Sequence, residues 1–155
     1  YLVNRGIRGY KTDLLDHHLD AHIFGQVVDK VFLLIGTNDI GKEMPLSETI
    51  DHMTSILQEI ARLLPLAQIK LLSVLPVNEG AIYKGTVYIR SNQKIQALNQ
   101  AYRDLAEGMV NVEFIDVFDC LLGADGQLKP AYTTDGLHLT IEGYRVLSER
   151  LRKEL

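Results

Sequence analysis

Three short stretches hold the residue types that acyl-transfer chemistry uses. In Asp135-Gly-Leu-His138 a carboxylate and an imidazole stand three residues apart, with a glycine between them to allow a turn. Such a turn folds the carboxylate against one ring nitrogen, fixes the tautomer and leaves the other nitrogen as a base. In Gly36-Thr-Asn-Asp39 a neutral amide, Asn38, can donate to a developing negative charge, and Asp39 can accept backbone N–H groups and hold the turn. In Asn4-Arg-Gly-Ile-Arg-Gly9 two glycines bring backbone N–H groups forward. Each stretch alone also fits a plainer role. Asn38 and Asp39 can simply shape a strand-to-helix connection, and Asp135 to His138 can be a loop ahead of a helix cap.

The elements around these stretches decide between the two readings. Val31 to Ile35 is an unbroken apolar run that reads as a strand buried on both faces. It stops at the Gly36 turn. Ile69 to Val77 and Val112 to Val117 are further strand candidates, and Tyr1 to Val3 is a short one. Helical spacing marks Lys11 to Phe24, a segment from Pro45 and Ser47 to Leu64, Tyr88 to Glu107, and a last helix N-capped by Thr140. In that last helix Ile141, Tyr144, Leu147 and Leu151 are expected to face inward. Strands alternating with helices predict a parallel sheet covered on both faces, a three-layer α/β/α fold of the flavodoxin-like kind. Its crossovers are right-handed by default. The Gly9 turn, the Asn38 turn, the loop from Asn78 to Val87 and the long connection ending at His138 then all open on the carboxyl edge of the sheet, where such folds bind ligands.

At 155 residues the chain is the size of one domain. Its 46% hydrophobic and 23% charged content is that of an ordinary globular protein. The net charge of −4 offers no basic footprint for nucleic acid. No apolar run approaches the roughly 18 residues that span a bilayer, so no stable membrane insertion is expected. One cysteine, Cys120, excludes an intrachain disulfide and fits a reducing, cytoplasmic setting; its apolar neighbours suggest an inert buried thiol. A homo-oligomer is compatible with the sequence.

Other residues with chemical potential are weaker. His18 and His22 stand at i and i+4 on a predicted helix, and with Asp16 or Asp20 they form a conceivable metal set, but spacing places no third ligand. Ser47, Ser55, Ser73, Ser91 and Ser148 all lack a Gly-rich turn at a strand exit, so none reads as a nucleophile. Tyr83, Tyr88 and Tyr132 can line a pocket or cover core.

Taken together, the motifs resemble those of the SGNH (GDSL-type) hydrolases, and among them the bacterial relatives of the platelet-activating-factor acetylhydrolase catalytic subunits. The resemblance runs over essentially the whole chain. It implies that Gly9 N–H and the Asn38 side chain are oxyanion-hole donors, that Asp135 and His138 are the acid and base of a Ser-His-Asp triad, and that a small-molecule ester, of a short-chain or acetyl type, is the substrate. It implies no metal and no organic cofactor. The family's first block, Gly-Asp-Ser at the end of a central strand, has no counterpart in this sequence. The expectation is therefore a single hydrolase domain over residues 1–155 that is truncated at its N-terminus, with the nucleophile upstream and the chain inactive by itself. A non-catalytic binding module on the same fold is the alternative.

Overall fold

Strand β2 (Gln68–Leu72) lies at the centre of the sheet and organises it. It pairs in parallel with β1 (Lys30–Leu33), Val31 opposite Ile69 and Leu33 opposite Leu71. On its other side it pairs in parallel with β3 (Val112–Ile115), Ile69 opposite Val112 and Leu71 opposite Phe114. The computed structural model describes residues 4–18 and 28–155. The strand expected at Tyr1 to Val3, and the far half of the helix expected to reach Phe24, with His22 and Asp20, lie outside the described residues.

Side chains alternate across β2 and build two cores, as the pleat requires. Ile69 and Leu71 join Leu33 and Val112 beneath two long helices, α3 (Leu46–Leu63) and α5 (Asn92–Glu107). Met53, Ile56, Leu57 and Ile60 of α3, with Ile95, Leu98 and Tyr102 of α5, are the buried faces of those helices. Leu72 points the other way and meets Ile115, Val117 and Leu147 of the last helix, α6 (Ile141–Arg152). Helices thus cover both faces of a parallel sheet, the expected α/β/α layering.

The sequence places several boundaries differently from the structure. The strand expected to run to Val77 ends at Leu72, because β3 stops at Ile115 and Ser73 N–H makes the last ladder-like bond, to the Ile115 carbonyl. Beyond it the backbone is held by two amides one heptad apart on α5. Asn99 Oδ1 accepts from Val74 N–H (2.7 Å) and its Nδ2 donates to the Val74 carbonyl (3.1 Å). Asn92 does the same for Val77, at 2.9 Å each way. These side chains satisfy an extended segment that has lost its strand partner.

Strand β1 is also less buried than its apolar run suggests. Val31, Phe32 and Ile35 are half-buried and Leu34 is 40% exposed, since among the described residues β1 pairs on one side only. The helix expected from Tyr88 begins at Asn92. Ser91 caps it by accepting from Lys94 N–H (3.1 Å), while Tyr88 takes a positive φ of 57° that no helix admits. In α6, Thr140 caps as expected (3.2 Å to Gly143 N–H), and Leu147 is buried. Ile141 and Tyr144 instead face solvent, because only the later turns of the helix meet the sheet.

Two short helices finish the frame. α1 (Thr12–His17) follows the Gly9 turn, and α2 (Thr37–Gly41) follows β1. Buried Asp39 ties them together. Its carboxylate accepts from Thr12 N–H (2.9 Å), Thr12 Oγ1 (2.5 Å) and Thr49 Oγ1 (3.1 Å). Asp39 was expected to hold its own turn; it holds three elements instead. Among the described residues, no helix is long and apolar enough to cross a membrane.

Candidate active site

The Asp135–His138 turn forms as its spacing predicts. Asp135 Oδ2 lies 2.6 Å from His138 Nδ1, and its Oδ1 accepts the backbone N–H groups of Leu137 (2.9 Å) and His138 (2.8 Å). Burial pushes the Asp135 carboxyl up, but the imidazole hydrogen bond, these two N–H bonds and the imidazole's charge together hold it down at about 2. An ionised carboxylate can only accept, so Nδ1 carries the proton in this bond and Nε2 is left outside it. The His138 side chain is 62% exposed.

Three further hydrogen bonds fix the turn. Thr133 Oγ1 donates to the His138 carbonyl (2.7 Å) and accepts from Gly136 N–H (2.9 Å), while the Gly136 carbonyl accepts from Asn78 N–H (2.9 Å) in the loop after β2. Gly136 is required twice over. Its φ is +84°, and an added Cβ would sit 2.6 Å from Tyr83 Cβ. We expect Gly136→Ala to cost about 2–4 kcal/mol from left-handed strain and overpacking. Denaturant midpoints measure this, and an unchanged midpoint would mean that Tyr83 gives way freely.

The low carboxyl also sets a pH dependence. A folded-state value of about 2 against the usual 3.8 makes the contribution of Asp135 fully present above about pH 4 and lost as pH falls towards 2. The stability gap between wild type and Asp135→Asn should therefore shrink steadily as pH falls from about 4 towards 2. Midpoints taken across that range would contradict this if the gap stayed constant.

The donor side is built at the exit of β1. Asn38 Nδ2 donates to the Tyr10 carbonyl (3.1 Å), which brings the Gly9 turn against the Asn38 turn. Gly9 has a φ of +80° and open space around it, so the backbone angle and not crowding calls for glycine. Its N–H is exposed and donates no hydrogen bond among the described residues. Gly36, by contrast, is packed: an added Cβ would lie 2.9 Å from Leu98 Cδ2 and from the Tyr102 hydroxyl, which donates to the Ile35 carbonyl.

A helical turn links the Asn38 turn to the Asp135–His138 pair. In α4 (Lys84–Val87), Val87 packs on Gly136, and its carbonyl accepts from Arg90, whose Nη2 donates to Asn38 Oδ1 (3.0 Å). Gly9, Asn38, Asp135 and His138 thus stand on connected segments at one edge of the sheet. Arg90 was not singled out in the sequence. In the sequence it falls at the start of a predicted helix, and its partners are mostly backbone carbonyls that only the fold brings near. An open cleft of about 420 Å³ between Gly80, Lys84, Tyr88 and Arg90 flanks this link. Of the three tyrosines left open, Tyr83 packs under Gly136, Tyr88 is exposed at this cleft, and Tyr132 packs on Gly143.

The remaining candidates have other roles. Ser73 is buried, accepting from Val117 N–H (2.8 Å), and Ser55 donates to Asp16 (2.8 Å). Ser91 is the helix cap already described. No serine hydroxyl among the described residues is hydrogen-bonded to His138. Cys120 donates to the Val117 carbonyl (3.1 Å), and burial pushes its thiol up. The His18 ring stands against His17 (centroids 4.8 Å apart) and Tyr10, and no cluster of three metal-binding side chains occurs among the described residues.

The Asp135–His138 pair and the Gly9 and Asn38 turns thus stand on a parallel α/β/α fold. The chain belongs to the GDSL-like lipase/acylhydrolase family, whose profile matches residues 1–146. It is similar to a solved protein from Streptococcus pneumonia, provisionally named a platelet activating factor, with 59% identity and a TM-score of 0.96 over 98% of this chain and 71% of that one. It is also 26% identical over 155 residues to the GDSL esterase/lipase WDL1 of Oryza sativa subsp. japonica, covering 84% of this chain and 59% of that protein. The fold recurs in an acetylxylan esterase of Geobacillus stearothermophilus, solved as a catalytic mutant, at 20% identity and a TM-score of 0.77 over 97% of this chain and 70% of that one. The chain thus spans 59% of the length of the curated rice relative.

Proposed function

We propose that the protein is a serine ester hydrolase that works through a Ser-His-Asp triad and an acyl-enzyme. The observation that carries this reading is the 2.6 Å Asp135–His138 pair, joined through Val87 and Arg90 to the Asn38 and Gly9 donors. A serine attacks the ester carbonyl. His138 Nε2 takes the hydroxyl proton and returns it to the leaving alcohol. Asp135 holds the ring and stabilises the imidazolium. Gly9 N–H and the Asn38 amide receive the oxyanion, and water then releases the acid with His138 again as base.

The nucleophile in this reading sits on a strand preceding Tyr1. Two observations support it. Among the described residues β1 has an unpaired edge, and Thr37 Oγ1, next to Asn38, is buried without a hydrogen-bond partner. Buried hydroxyls are rarely left so. The relatives' greater length leaves room for such a strand.

The substrate in this reading is a short-chain or acetyl ester on a small molecule. His138 stands open to solvent, so an ester on a bulky alcohol such as a sugar reaches it without entering a tunnel. A non-catalytic binding module would keep the donors but has no use for an ionised carboxylate that orders an exposed imidazole. Hydrolysis of p-nitrophenyl acetate by the full-length protein, in the presence of a chelator, tests the proposal. Turnover that fell as the ester shortened, or that stopped on chelation, would overturn the short-chain or the metal-free part of it.

A further inference from the structure

Arg90 is bound in an unusual way for a half-buried guanidinium. Nε donates to the Thr37 carbonyl (3.0 Å), Nη2 to Asn38 Oδ1 (3.0 Å), and Nη1 to the carbonyls of Thr86 (3.3 Å) and Val87 (3.5 Å). All four acceptors are uncharged oxygens, so its positive charge is not neutralised by any of them. Buried cations are ordinarily paired with an acid. Burial also pulls the guanidinium below its usual range, the sign of a cation held against its own hydration. The chain makes two local concessions to keep it there. The turn from Val87 to Arg90, closed by Arg90 N–H on the Val87 carbonyl (3.1 Å), puts Tyr88 at φ 57°, ψ −114°. Those are the angles of the first central position of a type II′ turn, where glycine is the usual residue. Beneath the guanidinium, Gly41 lacks the Cβ that would overlap it.

The consequence falls on Asn38. A side-chain amide can be flipped, exchanging its oxygen and nitrogen. Arg90 offers only donors, so it accepts only Oδ1 as its neighbour; the Tyr10 carbonyl offers only an acceptor, so it takes only Nδ2. Between them they allow one orientation. One Nδ2 hydrogen goes to Tyr10, and the other remains for the ester oxygen. The cation also polarises the amide from behind, which strengthens that remaining N–H as a donor.

We propose that Arg90 is the positioning residue of the oxyanion hole, locking the Asn38 amide with Nδ2 towards the ester and polarising the N–H that remains for it. This rests on the esterase reading. It makes Arg90 act through Asn38 and not on the substrate.

A double-mutant cycle in the full-length enzyme, with p-nitrophenyl acetate as substrate, tests it. Arg90→Met should lower kcat by about 10- to 100-fold, less than the loss of a direct donor, with KM within about twofold. In an Asn38→Ala background the same substitution should cost less than about threefold, because the residue it acts through is gone. Arg90→Lys keeps the charge but cannot hold Thr37 and Asn38 at once. Its kcat should fall about two- to tenfold, and that loss too should vanish in the Asn38→Ala background. The lysine variant decides the matter if thermal melts show Arg90→Met unfolded. An equal loss in both backgrounds would overturn the proposal, since a merely structural role adds. So would a normal rate for Arg90→Met beside an impaired Asn38→Ala. Full activity of Asn38→Ala would take Asn38 out of the oxyanion hole, and this proposal with it, while leaving the esterase reading to the Asp135–His138 pair.

Discussion

Replacing His138 with alanine should lower kcat by ~10⁴-fold or more, the scale set by loss of the base in a serine triad. The expectation follows from what the side chain does and does not hold. Its Nδ1 is committed to Asp135, whose carboxyl is held at about 2 and so remains an acceptor throughout the working pH range. Its Nε2 is bonded to no serine hydroxyl of the described residues, and the side chain is 62% exposed. Truncation therefore removes the base and little packing. Turnover should disappear in a variant that still melts cooperatively, its melting temperature lowered only by loss of the hydrogen bond to Asp135. A variant that kept even a tenth of the wild-type rate would remove His138 from the chemistry.

Asn38→Ala should reduce kcat by ~10²–10³-fold with KM nearly unchanged, as for other side-chain oxyanion donors. Here the fold is touched as well. The alanine leaves the Tyr10 carbonyl without its donor and Arg90 Nη2 without its acceptor, at a cost of about 1–3 kcal/mol for the partly buried groups. Rates and melts must be read together: a fall in kcat at a temperature where the variant is fully folded belongs to the hole. An unchanged kcat would take Asn38 out of it.

The α/β/α layering and the turns that carry the candidate residues were legible in the sequence; the ends of the elements were less so. Gly36-Thr-Asn-Asp39 and Asp135-Gly-Leu-His138 announce themselves because a buried apolar run, or a helix cap, adjoins residues of fixed chemistry. Glycines at positive φ mark the turns that aim them. Strand ends were legible only in part. Val74 to Val77 reads as strand, yet Asn92 and Asn99 on α5 hold its backbone, and nothing local reports a partner that distant. Burial of β1 was overestimated because an apolar run does not say how many neighbours its strand has. Ile141 and Tyr144 fit the helical period but face solvent, since periodicity gives a face and not its depth of docking. Arg90 was hidden for a different reason: its importance lies in which carbonyls converge on it, and three of its four acceptors belong to the main chain.

The most direct measurement is the position of the covalent adduct formed when the full-length protein is treated with a fluorophosphonate and mapped by mass spectrometry. A single adduct on a serine preceding Tyr1, absent from His138→Ala, is the result predicted here. An active esterase labelled on Ser47, Ser55, Ser73, Ser91 or Ser148, or on no serine at all, would contradict it.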